Sequence, residues 1–258
     1  MNIDFHTHTK FTKKAPFSLE YFLNTVHEAQ SEGLTAFTLT EHFNADRFFD
    51  IYDTLDAQYP YVNEYYDVDG FKVFSGMEID IQEGSHLLFT GNRQDLCALR
   101  QQLEGYTSKG NYIPVRELFQ RSAAYNFLKI GAHPFRPSNP LHHLPEDILL
   151  QFDAFDLNGS DLFTKGIEQT RTEVYAFATR LGKPVVAGSD SHHPLQLASV
   201  YNTLEQECNT IDELRQAIQS NTHQVHISPC LNSKVKAAKQ IKALLQANLQ
   251  LVAETVAN

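Results

Sequence analysis

Pro184–His192 reads PVVAGSDSH. An apolar run, Val185–Ala187, stops at a glycine and passes into small, acidic and imidazole side chains. Before it lies IEQTRTEVYAFATRLG, Ile167–Gly182, with a helical period. A short apolar run bounded by turn residues and preceded by an amphipathic stretch reads as a buried strand following a helix. The same phrase recurs along the chain. LTAFTLTEH (Leu34–His42) follows LEYFLNTVHEAQSEG, which Gly33 closes, and LKIGAHP (Leu128–Pro134) follows VRELFQRSAAYNF. DAFDLNG (Asp153–Gly159) follows the short PEDILLQF. NIDFHTH (Asn2–His8), FKVFSGMEIDI (Phe71–Ile81) and HLLFTG (His86–Gly91) read as further strands, and IDELRQAIQS (Ile211–Ser220) as a helix.

This alternation predicts an α/β fold with a largely parallel sheet. Six or seven βα units in 258 residues favour a barrel over an open sheet. The expected organisation is a single domain over 1–258, with 233–256 as an amphipathic helix packed on it and a solvated lysine face. The aromatic, acidic stretch 47–66 has no clean period and is expected to form a helix and a long loop over one face.

Apolar residues make up 42% and charged residues 20% of the chain, as in ordinary globular proteins. The net charge of −10 argues against long nucleic acid as a partner, though not against a local cationic pocket. The three cysteines, Cys97, Cys208 and Cys230, are far apart, so neither a disulfide framework nor a zinc knuckle is indicated. No apolar signal core opens the chain and no long apolar run follows. A cytoplasmic protein without a membrane partner is expected.

The chemistry-bearing residues gather at strand ends. Of twelve histidines, His6, His8, His42, His133, His192 and His193 lie at or just past the C-terminal end of an expected strand, and His86 begins one. In parallel α/β folds those ends converge on one face, where active sites form. His6 and His8, two apart on an extended chain, point to the same side. Glu78 interrupts an apolar strand, and a buried carboxylate needs a metal or a cation. Asp190 and His192 follow the last apolar run. Each has a blander reading: surface histidines, a salt bridge for Glu78, a helix N-cap for Asp190. Their recurrence at one structural place favours metal ligation. His6, His8, His42, Glu78, His86, His133, Asp190 and His192 are too many for one tetrahedral ion and suit two or three.

The ordered series HTH, TEH, GMEI, the histidine of HLLFTG, GAHP and GSDSH resembles the PHP (polymerase and histidinol phosphatase) family, from about Met1 to Tyr201. The resemblance implies a distorted TIM-like (β/α)7 barrel and a cluster of divalent ions (zinc, manganese or iron) at its C-terminal face. It implies that His6, His8, Glu78 and Asp190 hold one ion and that Glu78 bridges to a second held by His86 and His133. A third ion would use His42, His192 and a residue whose expected place falls on Lys14 or beside it. Lysine is no ligand at neutral pH, so Lys14 would replace the charge of that ion.

The implied activity is hydrolysis of a small phosphate ester by metal-activated hydroxide; histidinol phosphate, nucleotides, sugar phosphates and short oligonucleotides are all open. Arg136, three residues past His133, is the expected bidentate phosphate clamp. A metal-free His192 or His42 would protonate the leaving group. Two other readings stand beside this one: an amidohydrolase-type barrel cleaving C–N bonds, and a non-catalytic metal-binding protein of the same fold. Metal identity and oligomeric state are not legible.

Overall fold

A computed structural model describes the backbone of residues 1–256 and the side chains of residues 1–248. The strands are β1 Asn2–Thr7, β2 Ala36–Leu39, β3 Tyr61–Val62, β4 Tyr65–Val68, β5 Phe71–Asp80, β6 His86–Thr90, β7 Leu128–Gly131, β8 Ala154–Asn158, β9 Val185–Gly188, β10 Val200–Thr203 and β11 Gln224–Ile227. The α-helices are α1 Leu19–Ser31, α2 Phe49–Gln58, α3 Arg93–Gln102, α4 Val115–Ser122, α5 Glu146–Leu149, α6 Gly159–Lys165, α7 Ile167–Arg180, α8 Ile211–Gln219 and α9 Leu231–Val256.

Local sequence sets the helix ends. Ser18 caps α1 by accepting from the Tyr21 N–H, and Gly33, at φ 84°, lets the chain turn back after it. Thr210 and Glu213 form a reciprocal capping box at the start of α8. Stretch 47–66 becomes α2 followed by the β3–β4 hairpin rather than a long loop.

Seven strands, β1-β2-β5-β6-β7-β8-β9, form a barrel-shaped wall, with β10 and β11 continuing the sheet beyond β1. The TIM-like barrel expected from sequence is therefore present. Its sheet is mixed, however: β1, β2 and β5 pair in parallel, as do β7, β8 and β9, while β6 is antiparallel to both β5 and β7. No helix separates β5 from β6. The turn at 81–85, with Gly84 at φ 80°, joins them as a hairpin. Reversal of β6 places His86 directly opposite Asp80, at the end of β5. A histidine that begins a strand thus reaches the rim where the other strands end.

Both faces of the wall are buried. On β5, Met77 and Ile79 pack into the apolar layer shared with the helices, while Phe74 joins the second cluster. Leu88, Ile130, Ala154 and Val186 join Phe74 there, with Ile211, Leu214 and Ile218 of α8. Glu78 and Asp156 lie on the same strand faces as Phe74 and Ala154, displaced toward the rim. Glu78 is therefore buried, at 1% exposure, even though its neighbours face a core.

The seam between β9 and β1 is closed by side chains as well as backbone. At the rim, Asp190 N–H donates to the His6 carbonyl (2.8 Å) and His8 N–H to the Ser191 carbonyl (3.0 Å). Deeper, the Asn202 amide accepts from Ala187 N–H (2.8 Å) and donates to the Ala187 and Ile3 carbonyls (2.8 and 3.0 Å). Asp4 Oδ1 accepts from the His6 and Ser189 N–H groups. Burial outweighs these bonds and pushes the Asp4 carboxyl up to about 7. At the end of the chain, α9 packs on α6 and on the short turn 194–196. No helix among the described residues is long and apolar enough to cross a membrane.

Replacing Asn202 by Ala orphans three buried backbone groups, each worth about 1 kcal/mol or more. We expect Asn202→Ala to lower the unfolding free energy in urea by about 2–4 kcal/mol. A loss below about 0.5 kcal/mol would mean the seam holds without it.

Candidate metal centre at the barrel rim

Glu78 lies at the centre of the rim. Its Oε1 is 2.8 Å from His86 Nδ1, 3.4 Å from His133 Nε2 and 3.6 Å from His6 Nε2. Its Oε2 is 2.9 Å from His42 Nδ1 and 3.4 Å from His8 Nε2. Asp190 Oδ1 faces the same ring nitrogens of His6 (3.6 Å) and His8 (3.4 Å), and lies 3.4 Å from His192 Nδ1. Strands β1, β2, β5, β6 and β7, with the segment after β9, thus bring together all eight residues singled out as ligands from the sequence.

Three subsets place one donor atom each within 4.8 Å of one another: His6, His8 and Asp190; Glu78, His86 and His133; and His8, His42 and His192. His8 belongs to two of them. Its Nδ1 lies 3.6 Å from Glu41, so Nε2 is the nitrogen turned to the cluster.

The donor set fits divalent cations. Glu78 Oε2 and the Nδ1 atoms of His8, His42 and His133 are buried without a hydrogen-bond partner among the described residues. Nε2 of His6 and Nε2 of His8 approach to 3.3 Å. Buried polar atoms left without a partner in a crowd of imidazoles and carboxylates are costly unless positive charge lies among them.

The protonation pattern points the same way. Burial opposes ionisation of Glu78, but His86, His42, His6 and the His133 hydrogen bond outweigh it and hold the carboxyl well below its usual range. Burial likewise disfavours the Asp190 carboxylate, and His6 and Arg136 overcome it. For His86, burial is overcome by Glu78 and Asp80, which push it up to about 9. His6 and His8 also rise against burial, through Asp190 and Glu78 and through Asp190 and Glu41 respectively. His42, His133 and His192 are pushed down, chiefly by burial. The three raised imidazoles face the carboxylates at the place where divalent ions would supply the positive charge instead.

A ring of residues orients this set. Asp156 Oδ2 lies 3.1 Å from His6 Nδ1 and accepts from the Asn158 amide (3.0 Å). Glu41 accepts from the N–H groups of Thr9, Lys10 and His42 beside His8. Asp80 holds His86 Nε2 at 3.0 Å. Carboxylates behind ligating imidazoles fix tautomer and ring orientation. The sequence reading passed over Asp156, Asp80 and Asn158. The available signal was an acid two positions from another polar residue on a short apolar strand, as at Asp156 and Asn158 in DAFDLNG.

Arg136 sits at the cluster's edge. Its Nε donates to Asp161 (2.8 Å) and its Nη2 to Asn158 and Asp190 (both 2.8 Å). It therefore holds the Asp190 carboxylate in place, and it lines a cavity of ≈ 550 Å³ together with Asp190, His192, Lys165, Lys239 and Lys242. Lys14 is exposed and is not part of the cavity lining. Lys13 instead approaches Asp80 at 3.6 Å, and Lys10 turns its ammonium to the Asp46 carbonyl.

Two backbone features position the rim. His133 and Asp190 adopt φ of 31° and 55°, in the left-handed region that non-glycine residues seldom visit. Gly188 must lack a side chain, because a Cβ there would lie 2.4 Å from the His6 Cβ and 2.7 Å from Asp156 Oδ1.

Comparisons with known proteins bear on this geometry. Residues 169–222, from α7 to the end of α8 and including Asp190 and His192, match a family model described as PHP-associated. The resemblance to the PHP family therefore holds. No curated protein sequence matches the chain. PsfC from Pseudomonas syringae shares the fold at a TM-score of 0.76 with 18% identity, over 95% of this chain and 98% of that one. The lesion-specific endonuclease EndoQ from Pyrococcus furiosus aligns at 0.64 with 18% identity, over 87% of this chain and 57% of that one. An amidohydrolase from Chromobacterium violaceum aligns at 0.55 with 14% identity, over 84% and 96%.

Metal uptake at neutral pH should displace protons from His86 and its neighbours. Titration calorimetry with Zn²⁺ or Mn²⁺ in buffers of different ionisation enthalpy should report proton release at pH 7. Affinity should rise with pH until His86 is deprotonated, near 9. Uptake without proton release would contradict this balance. Gly188→Ala should displace His6 and lower metal affinity at least about tenfold, read by the same titration.

Proposed function

We propose that the chain is a metal-dependent phosphoesterase that hydrolyses a small phosphate ester. The observation that carries this reading is one juxtaposition. A rim of six imidazoles around Glu78 and Asp190 opens beside a small cavity whose lining includes Arg136 and three lysines. Carboxylate and imidazole donors suit divalent ions, and cationic walls suit a phosphate.

His6, His8 and Asp190 would hold one ion, and Glu78, His86 and His133 a second, with Glu78 between them. His8, His42 and His192 form the remaining set and share His8 with the first. Bound divalent ions supply Lewis acidity toward phosphoryl oxygens and depress the pKa of water to about 7.

Arg136 would bind the phosphoryl group through its Nη1, since Asp161, Asn158 and Asp190 engage Nε and Nη2. Being tied on that side, it is pre-oriented and loses little freedom on binding. His192 Nδ1 donates to the Asp190 carbonyl (3.1 Å), which leaves Nε2 as an acceptor. Burial, reinforced by His8, keeps this imidazole neutral. We therefore assign His192 to accept a proton or to ligate, in place of the proton-donating role suggested by the sequence.

The fold likeness to an amidohydrolase keeps C–N hydrolysis as a second reading. The cationic cavity favours phosphate over a neutral amide. A nuclease of similar fold raises nucleic acid as a substrate, but a cavity of ≈ 550 Å³ matches small-molecule sites.

Turnover of p-nitrophenyl phosphate should depend on added Mn²⁺ or Zn²⁺, vanish on chelation, and be inhibited competitively by inorganic phosphate. Lack of metal-dependent hydrolysis of any phosphomonoester or phosphodiester would reject the proposal. Hydrolysis of amides unaffected by phosphate would favour the second reading. Arg136→Ala should raise KM for phosphate esters about tenfold or more, and lower kcat as well because Asp190 loses its partner. An unchanged KM would remove Arg136 from the phosphate site.

A further inference from the structure

The cavity beside the rim is lined by four cations and two carboxylates, Asp161 and Asp190. Arg136, Lys165, Lys239 and Lys242 all line it. Two of these cations have protein counterions. Arg136 is bound to Asp161 and Asp190, and Lys165 to Glu173 at 2.8 Å and the Phe135 carbonyl at 3.0 Å. Lys239 and Lys242 make no ion pair or hydrogen bond among the described residues. Lys239 rests with its Nζ 4.9 Å from the centre of the Phe163 ring.

The two lysines are three residues apart on α9, so their side chains emerge from the same face. That face meets α6 and the turn 194–196, next to His192 and His193. Lys242 is half-buried, whereas Lys239 is exposed. Burial pushes the Lys242 ammonium down, against the pull of the Glu41 and Asp190 carboxylates. Partly desolvating an ammonium without a counterion is unfavourable. The chain has a net charge of −10, so acidic residues to pair these lysines are not scarce, yet none of the described ones is placed at them.

We propose that Lys239 and Lys242 bind a second anionic group of the substrate, making the substrate class a small phosphate ester that also bears a carboxylate or a second phosphate. The inference rests on the phosphoesterase reading above. The rim and Arg136 take the scissile phosphate. The face of α9 takes the far end of the molecule and selects against esters with a neutral tail.

Three esters with the same three-carbon frame test this in the metal-loaded full-length protein: propyl phosphate, 3-(phosphonooxy)propanoate and propane-1,3-diyl bisphosphate. The two anion-tailed esters should show kcat/KM at least about tenfold above propyl phosphate, and the better of the two identifies the tail as carboxylate or phosphate. Combined Lys239→Met and Lys242→Met substitutions should bring that ratio toward one, and Lys242→Glu should lower it below the wild-type value. A wild-type ratio near one, or a ratio that survives the double substitution, overturns this proposal while the phosphoesterase reading stands. If no ester is turned over, that reading fails, and calorimetric titration decides about the lysines alone. Phosphonoacetate binding about tenfold tighter than methylphosphonate, with the preference lost in the double variant, supports the anion site. Equal binding of the two rejects it.

Discussion

One buried carboxylate organises the rim. Glu78 lies within 3.6 Å of a ring nitrogen on five histidines, which come from β1, β6 and the segments following β1, β2 and β7. An acid at 1% exposure is tolerable only with positive charge around it. The strands that meet there are joined by backbone as well. The Glu78 N–H donates to the Glu41 carbonyl, and its own carbonyl accepts from Phe43. The same residue that gathers the imidazoles therefore also registers β5 against the end of β2.

The rest of the rim follows from keeping that arrangement rigid. Asp156, Asp80 and Glu41 each stand behind one imidazole, and Arg136 stands behind Asp190. His133 and Asp190 hold left-handed backbone conformations that the surrounding barrel enforces. Gly188 allows β9 to approach His6 more closely than any side chain would permit. These features constrain side chains before any ligand arrives, which lowers the ordering cost of binding.

Much of the architecture was legible because the strands are short apolar runs that end in histidine or acid. The barrel could be read that way, and so could the candidate residues past the strand ends, whereas Glu78 lies within β5 and His86 begins β6. Reversal of β6 could not, because a hairpin and a βα unit differ in connection length and not in strand pattern; the five residues between Asp80 and His86 were the available hint. The supporting acids were harder still. Asp156 and Asp80 look like ordinary polar positions until the barrel turns them inward. The fixed position of Arg136 depends on Asp161 and Asn158, twenty-two or more residues away in the chain. Lys14 illustrates the opposite limit: an offset counted along an irregular loop says nothing about where its side chain goes.

The mouth of the cavity is built partly from α9, which the chain forms only after the strands that make the rim. None of the eight candidate ligands lies on that helix. If the proposed function holds, the two lysines proposed to select a substrate's far end stand on a different element from the candidate ligands, though residues of both sets line one cavity. Such a layout would let changes in α9 alter what the cavity admits while the eight rim residues stay in place.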